Sequence, residues 1–289
     1  MSAARTLSLR ELNRATLARQ LLLRRHRVSA VRAVERVAGL QAQWPPAPYV
    51  GLWTRVEGFR RPALERALVR REIVKATLMR ATLHLVSARD YPVFVAALHE
   101  GGVSPIKPDA MALAERAAEG IGALFEEGPR SRREVLEWLA REHPSRIAED
   151  YPWTTWFAIC VHARLVHTPE SAAWEARAGR RLVALRDVAA LDPPEARVEL
   201  VRRYLAAFGP ASRADIAQWS GMRRRGIDDA LGSLEPLRRF RDEDGRELVD
   251  LPRAPLPGAS VPAPVRFLPK WDNLLLAHDD RRRVLPDEY

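Results

Sequence analysis

The chain has 289 residues, 47% of them hydrophobic, which is enough for real cores and suits two or three small domains better than one. It carries a formal charge of +10, and only Lys75, Lys107 and Lys270 of its 47 basic residues are lysine. The lone Cys160 excludes a disulfide framework and a cysteine-based zinc site, and no apolar run approaches a membrane span. The reading is a soluble protein of a reducing cytoplasm, with Cys160 as a core thiol among Ala158, Ile159 and Val161.

Arginine on this scale has two readings. It binds phosphate and guanine bidentately, and it is also what a GC-rich coding sequence imposes whatever the function. The second accounts for most of the bias. Placement is more telling, because residues 1–50 balance to +7 and 51–100 to +4, whereas 101–150 balance to −3. A basic first third would steer the chain toward a polyanion, although a solvated helix face would show the same pattern.

In chain order, helices are predicted over 9–23 and 29–40. They lead to Gly39-Leu40-Gln41-Ala42-Gln43-Trp44-Pro45, where Pro45 and Pro46 cannot continue a helix. The two glutamines are therefore expected to project from a helix terminus. An amide both donates and accepts without titrating near neutral pH, so it can orient a water or a base edge. A segment at 49–55 and strand-like runs at 73–77 and 81–86 complete a first unit, 1–106.

An internal repeat organises the middle. Gly128-Pro129-Arg130-Ser131-Arg132-Arg133-Glu134 aligns with Gly209-Pro210-Ala211-Ser212-Arg213-Ala214-Asp215, and tryptophan follows in both at Trp138 and Trp219. In each copy a helix ends at glycine, proline blocks its continuation, and serine caps the next helix with an acid three places on. The earlier copy, 107–191, reads as helices 112–125, 131–141 and 153–164 with strands 165–167 and 181–183. Its aromatic third helix, with Trp153, Trp156 and Phe157, is read as packing inward. The later copy, 192–252, reads as helices 195–208, 212–220 and 223–234, then two strands around Asp244-Gly245, a favoured hairpin turn. Three helices and a hairpin make a winged helix, whose third helix, opening with Arg223, Arg224 and Arg225, would enter the major groove. The fold class is thus mainly α with small β wings: three tandem winged-helix units and a short C-terminal β region at 253–289.

Four ordered blocks carry a resemblance. They are Gly39 to Gln43, Pro48-Tyr49-Val50-Gly51-Leu52-Trp53, Met79-Arg80-Ala81-Thr82-Leu83-His84-Leu85 and Trp271-Asp272-Asn273-Leu274-Leu275-Leu276-Ala277-His278. Over nearly the whole chain the sequence resembles the bacterial tandem winged-helix proteins of the AlkZ DNA glycosylase type. The resemblance implies three winged helices cupped around double-stranded DNA and excision of bulky N7-alkylated purines, including interstrand crosslinks. It implies a catalytic pair at Gln41 and Gln43, and DNA contact by Trp44, Tyr49, Arg55, Arg80, His84 and Arg223 to Arg225, with Asp272 and Asn273 near the lesion. It implies no metal, cofactor, membrane or obligate protein partner, and a monomer that is nucleoid-associated when bound to DNA. Family members continue with β structure after the Asp-Asn-Leu-Leu-Leu block, where this chain ends at Tyr289, so the resemblance carries DNA binding further than catalysis.

Packing competes for several of these residues. Trp44 and Trp53 read first as packing residues, His84 as a hydrogen-bonded core histidine, and Asp272-Asn273 as turn chemistry. His162 and His167 lack a third ligand, and His278-Asp279 has no nucleophile motif to serve. The alternative function is a winged-helix DNA-binding or regulatory protein without catalysis.

Overall fold

The computed structural model describes residues 4–99, 107–176 and 180–286. Ser8 opens the first helix with a capping box to Glu11, and Ser29 caps the second, so α1 is Leu9–Arg19 and α2 is Ala30–Arg36. After strand β1 (Leu40–Gln41) come α3 (Ala47–Arg55), α4 (Arg61–Val69), β2 (Ile73–Thr77), β3 (Leu83–Ser87) and α5 (Tyr91–His99). The middle segment holds α6 (Pro108–Leu124), β4 (Arg130–Ser131), α7 (Arg132–Glu142), α8 (Arg146–Asp150), α9 (Pro152–His162), β5 (Leu165–His167), α10 (Pro169–Ala172) and β6 (Arg181–Ala184). Then follow α11 (Pro193–Phe208), α12 (Arg213–Ser220), α13 (Arg224–Ser233), β7 (Arg238–Arg241) and β8 (Glu247–Asp250).

Both repeat copies fold as their caps dictate. Ser131 with Glu134 and Ser212 with Asp215 each close a reciprocal capping box at the start of α7 and α12. The hairpin turn also forms as read: Gly245 takes φ +80°, and Asp242 accepts from the amides of Asp244 and Arg246. Helix α9 packs inward through Phe157, but Trp153 at its start is exposed.

The strands of the first two segments come together. They form one antiparallel sheet in the order β1-β3-β2-β5-β6-β4, in which Ala76 pairs with Val166 to join the two halves. Helix α1 packs away from that sheet. Leu7 and Leu12 bury against Phe240 and Leu248 of the β7–β8 hairpin, and the Leu7 amide donates to the Arg241 carbonyl at 2.8 Å. At the centre Trp219 is fully buried, with the rings of Tyr204, Phe208 and Phe94 at 5.2, 5.9 and 6.3 Å.

The expected C-terminal β region is corrected. Among the described residues after Asp250 no strand forms, only short 3-10 turns at Asn273–Leu275 and Arg281–Arg283. Pro255, Pro257, Pro262, Pro264 and Pro269 remove donors that a ladder needs, so this strap finds other partners for its carbonyls. Arginines of α1 supply them: Arg10 donates to Ala259 O at 2.9 Å, Arg14 to Val261 O, and Arg19 to Pro255 O at 2.8 Å. Two buried ion pairs complete the seam, Arg19 with Asp250 at 2.7 Å and Arg55 with Asp272 at 2.8 Å.

Breaking one such pair should be more damaging than removing both charges. Arg55→Met, which leaves Asp272 buried without its counter-charge, should cost about 3–5 kcal/mol in urea unfolding. Adding Asp272→Asn should restore a substantial part. Equal loss in single and double variants would show that the two charges are not coupled.

Candidate active site

Gln41 closes the two-residue strand β1 and Gln43 lies in the bend just after it, so neither projects from the end of a helix, which corrects the expectation. Helix α2 stops because Ala38 and Gly39 turn left-handed, at φ +56° and +88°. A Cβ on Gly39 would lie 3.1 Å from Val86 Cγ1 and 3.2 Å from Leu85 O, so the reversal needs glycine on both counts. The chain then enters β1, where Gln41 pairs with His84, and the Ala42 amide donates to Leu83 O at 2.7 Å. β1 is also the edge of the sheet, leaving its outer side unpaired.

Both amides are oriented from behind. Arg80 Nη2 donates to Gln41 Oε1 at 3.1 Å, and the Leu83 amide donates to Gln43 Oε1 at 3.2 Å. Guanidinium and backbone N–H can only donate, so each side-chain oxygen points inward and each NH2 is left for an outside acceptor. Among the described residues neither Nε2 has a hydrogen-bond partner. Gln41 is almost covered and Gln43 is exposed.

Arg80 is the hub. It sits left-handed at φ +54° in the turn between β2 and β3, and its guanidinium also donates to Asn273 Oδ1 at 3.2 Å and to the Trp219 carbonyl at 2.8 Å. Asn273 in turn donates from Nδ2 to Gly39 O at 3.2 Å. One side chain therefore joins the glutamine strand, the C-terminal strap and the last turn of α12. Burial lowers the Arg80 pKa to about 10. His84, fully buried beside this cluster, donates from Nδ1 to Thr82 O at 3.1 Å. Burial first, then the Arg80 charge, push its pKa down to about 3, against weaker opposing effects of Thr82 and Asn273, so the ring is neutral.

Of the residues expected to contact DNA, Tyr49, Arg55 and His84 are buried and Arg80 is half-buried. Arg55 has no exposed surface and grips Asp272 with both Nη atoms, at 2.9 and 2.8 Å. His84 lies in the core. Tyr49 packs edge-on to Trp174 at 5.5 Å, and burial raises its hydroxyl pKa to about 12. Arg80 spends its guanidinium on three protein acceptors. Asp272 is likewise taken up by Arg55 and by capping Leu274 N. Trp44 is exposed, as are Arg223, Arg224 and Arg225 at the start of α13, so these remain open to a partner. Sequence reasoning missed the exposed Trp271, whose ring carries the Lys270 ammonium at 4.4 Å, although it opens one of the four blocks. It also missed the Trp219 carbonyl, which no side-chain pattern could reveal.

Cys160 is a core thiol, its pKa raised to about 12 by burial. Among the described residues no helix is long and apolar enough to cross a membrane, and no three His, Cys, Asp or Glu side chains gather as metal ligands.

Residues 34–289 match the family described as DNA glycosylase AlkZ-like. The chain belongs to the AlkZ-like DNA glycosylase family. Its fold is similar to that of the Streptomyces sahachiroi DNA glycosylase AlkZ, with a TM-score of 0.71 at 20% identity over 86% of this chain and 70% of that one. A shorter stretch of 74 residues is 34% identical to proteins of Mycobacterium bovis and Mycobacterium tuberculosis described as probable biotin-dependent acyl-coenzyme A carboxylase beta3 subunits. That match spans 26% of this chain and 15% of the length of each of those relatives.

Two buried neutral histidines make stability pH-dependent. His84 has a folded pKa of about 3 and His278 is held well below its ordinary value by burial, while an unfolded histidine titrates near 6.5. The unfolded chain therefore binds more protons between those values, and the stabilisation is complete above pH 6.5 and lost as pH falls toward 3. Unfolding free energy should drop by up to about 1.4 kcal/mol per pH unit for each site. Stability unchanged between pH 6.5 and 4.5, measured by denaturant titration, would contradict neutral burial.

Proposed function

We propose that the chain is a monofunctional DNA glycosylase that hydrolyses the N-glycosidic bond of bulky or N7-alkylated purines in double-stranded DNA, interstrand crosslinks included. The reading takes 1–106, 107–191 and 192–252 as three winged-helix units around the duplex, with no cofactor and as a monomer. What carries it is the pair of glutamine amides at the end of an edge strand and in the bend that follows, each held by a donor to its oxygen.

Such a pair suits this chemistry. Alkylation at N7 makes the purine cationic, so when the C1′–N9 bond breaks its electron pair neutralises the leaving base and no strong general acid is required. Water adds to C1′ and its proton passes to solvent. The amides need only hold that water and the oxocarbenium-like sugar in register. Each carbonyl oxygen keeps a second lone pair for a water hydrogen, and each NH2 donates to a sugar or phosphate oxygen. Arg80 and Asn273 act as positioning residues that hold the amide of Gln41, and the preorganised dipoles need no rearrangement during reaction.

The alternative, a winged-helix DNA-binding protein without catalysis, is favoured by one feature, the exposed arginines opening α13. A base-release assay on N7-methylguanine duplexes separates the two readings. Wild-type protein should release the base, and Gln41→Ala with Gln43→Ala should lower the rate on the order of a hundredfold or more with little change in DNA affinity. Arg80→Gln should lower kcat with KM nearly unchanged, and Arg80→Lys should recover part of it. Absence of release by wild type leaves the binding-protein reading.

A further inference from the structure

Several arginines of the basic first third are paired with carboxylates of the protein. Arg19 pairs with Asp250, Arg55 with Asp272, Arg27 with Glu57 and Arg32 with Glu35. Arg25 is different. It is half-buried with its guanidinium carbon 4.4 Å from the ring centre of the exposed Trp53, and its Nε is buried without a hydrogen-bond partner. Arg266 of the strap comes to the same place, donating from Nε to Leu22 O at 2.8 Å, and it too is half-buried. Among the described residues no carboxylate pairs with either, and the two cations are close enough for Arg25 to add to the effect of burial in lowering the Arg266 pKa.

Two half-buried like charges without a counter-ion are costly, and an anion arriving from outside relieves both costs at once. The forked donors of two guanidiniums match the oxygens of a phosphate, and an indole beneath Arg25 fixes one of the planes. We propose that Arg25 and Arg266, backed by Trp53, form a seat for one phosphate diester of the DNA backbone, outside the glutamine site. Placement suits this. Arg266 is seven residues before Asn273, which binds Arg80, so the Cα atoms of Arg266 and Asn273 lie within about 25 Å of each other even were the strap fully extended. That is less than one turn of duplex, about 34 Å. A single bound helix can touch both.

The proposal rests on the reading of duplex DNA as partner, and its test separates the two. Affinity for a fluorescent duplex is measured across salt concentrations for wild type, Arg25→Gln with Arg266→Gln, and a control of equal charge loss, Arg27→Gln with Arg32→Gln, whose guanidiniums are already paired. The first double variant should bind about tenfold more weakly, with the slope of log affinity against log salt reduced by about 0.9, and the control should keep the wild-type slope. In parallel, inorganic phosphate is titrated while the Nε–H signals of Arg25 and Arg266 are followed by NMR. An unchanged slope in the first variant overturns the proposal while leaving DNA binding intact. Phosphate-shifted signals with an unchanged slope would mean that the seat takes free phosphate and not DNA, which also overturns it. If wild type binds no duplex, the DNA reading falls, and this seat for a DNA phosphate falls with it.

Discussion

Arginine bonded to buried oxygen is the interaction on which the rest of the structure depends. The chain after Asp250 is too rich in proline to make a ladder, so its carbonyls take donors from elsewhere. Arg10, Arg14 and Arg19 of α1 provide them. Arg55 then clamps Asp272, and this places Asn273 against Gly39 and Arg80. The strap is thereby threaded from the β7–β8 hairpin across to the glutamine strand, and each tie is an arginine or an asparagine.

This use of arginine changes what the net charge means. A +10 protein with an excess in its first third suggests a basic surface, yet several of those charges never reach solvent. A guanidinium offers five donors in a planar fork, so one residue can satisfy a carboxylate and a carbonyl together, as Arg19 does with Asp250 and Leu205 O. The charges left for a partner are those without a carboxylate among the described residues, among them Arg25, Arg266, Arg223 and Arg225. Their number is smaller than the composition implies, and their positions are more specific.

The same economy shapes the glutamine site. Arg80 has a left-handed backbone and a half-buried charge, both unfavourable locally, and it is held by three acceptors from three parts of the chain. Since one acceptor is the Trp219 carbonyl, next to the turn that leads into α13, the glutamine strand is tied to the helix whose arginines face outward. The geometry of Gln41 thus depends on segments some 180 and 230 residues away in sequence.

Where the physics is local, the sequence by itself determined the outcome. Ser131 with Glu134 and Ser212 with Asp215 cap their helices because the partners lie three residues apart, and Asp244-Gly245 turns because glycine takes a positive φ there. The glutamine pair and the Asp272-Asn273 block were legible as a set of motifs, though not their arrangement. Tertiary structure alone decided that residues 40–41 pair with β3 instead of ending α2, since a two-residue strand has no periodicity to read. It alone decided that Arg55 and His84 are interior, because burial of a polar side chain depends on an acceptor distant in the chain. And it decided that the strap is irregular, because prolines exclude a ladder but do not say which arginines will take its place.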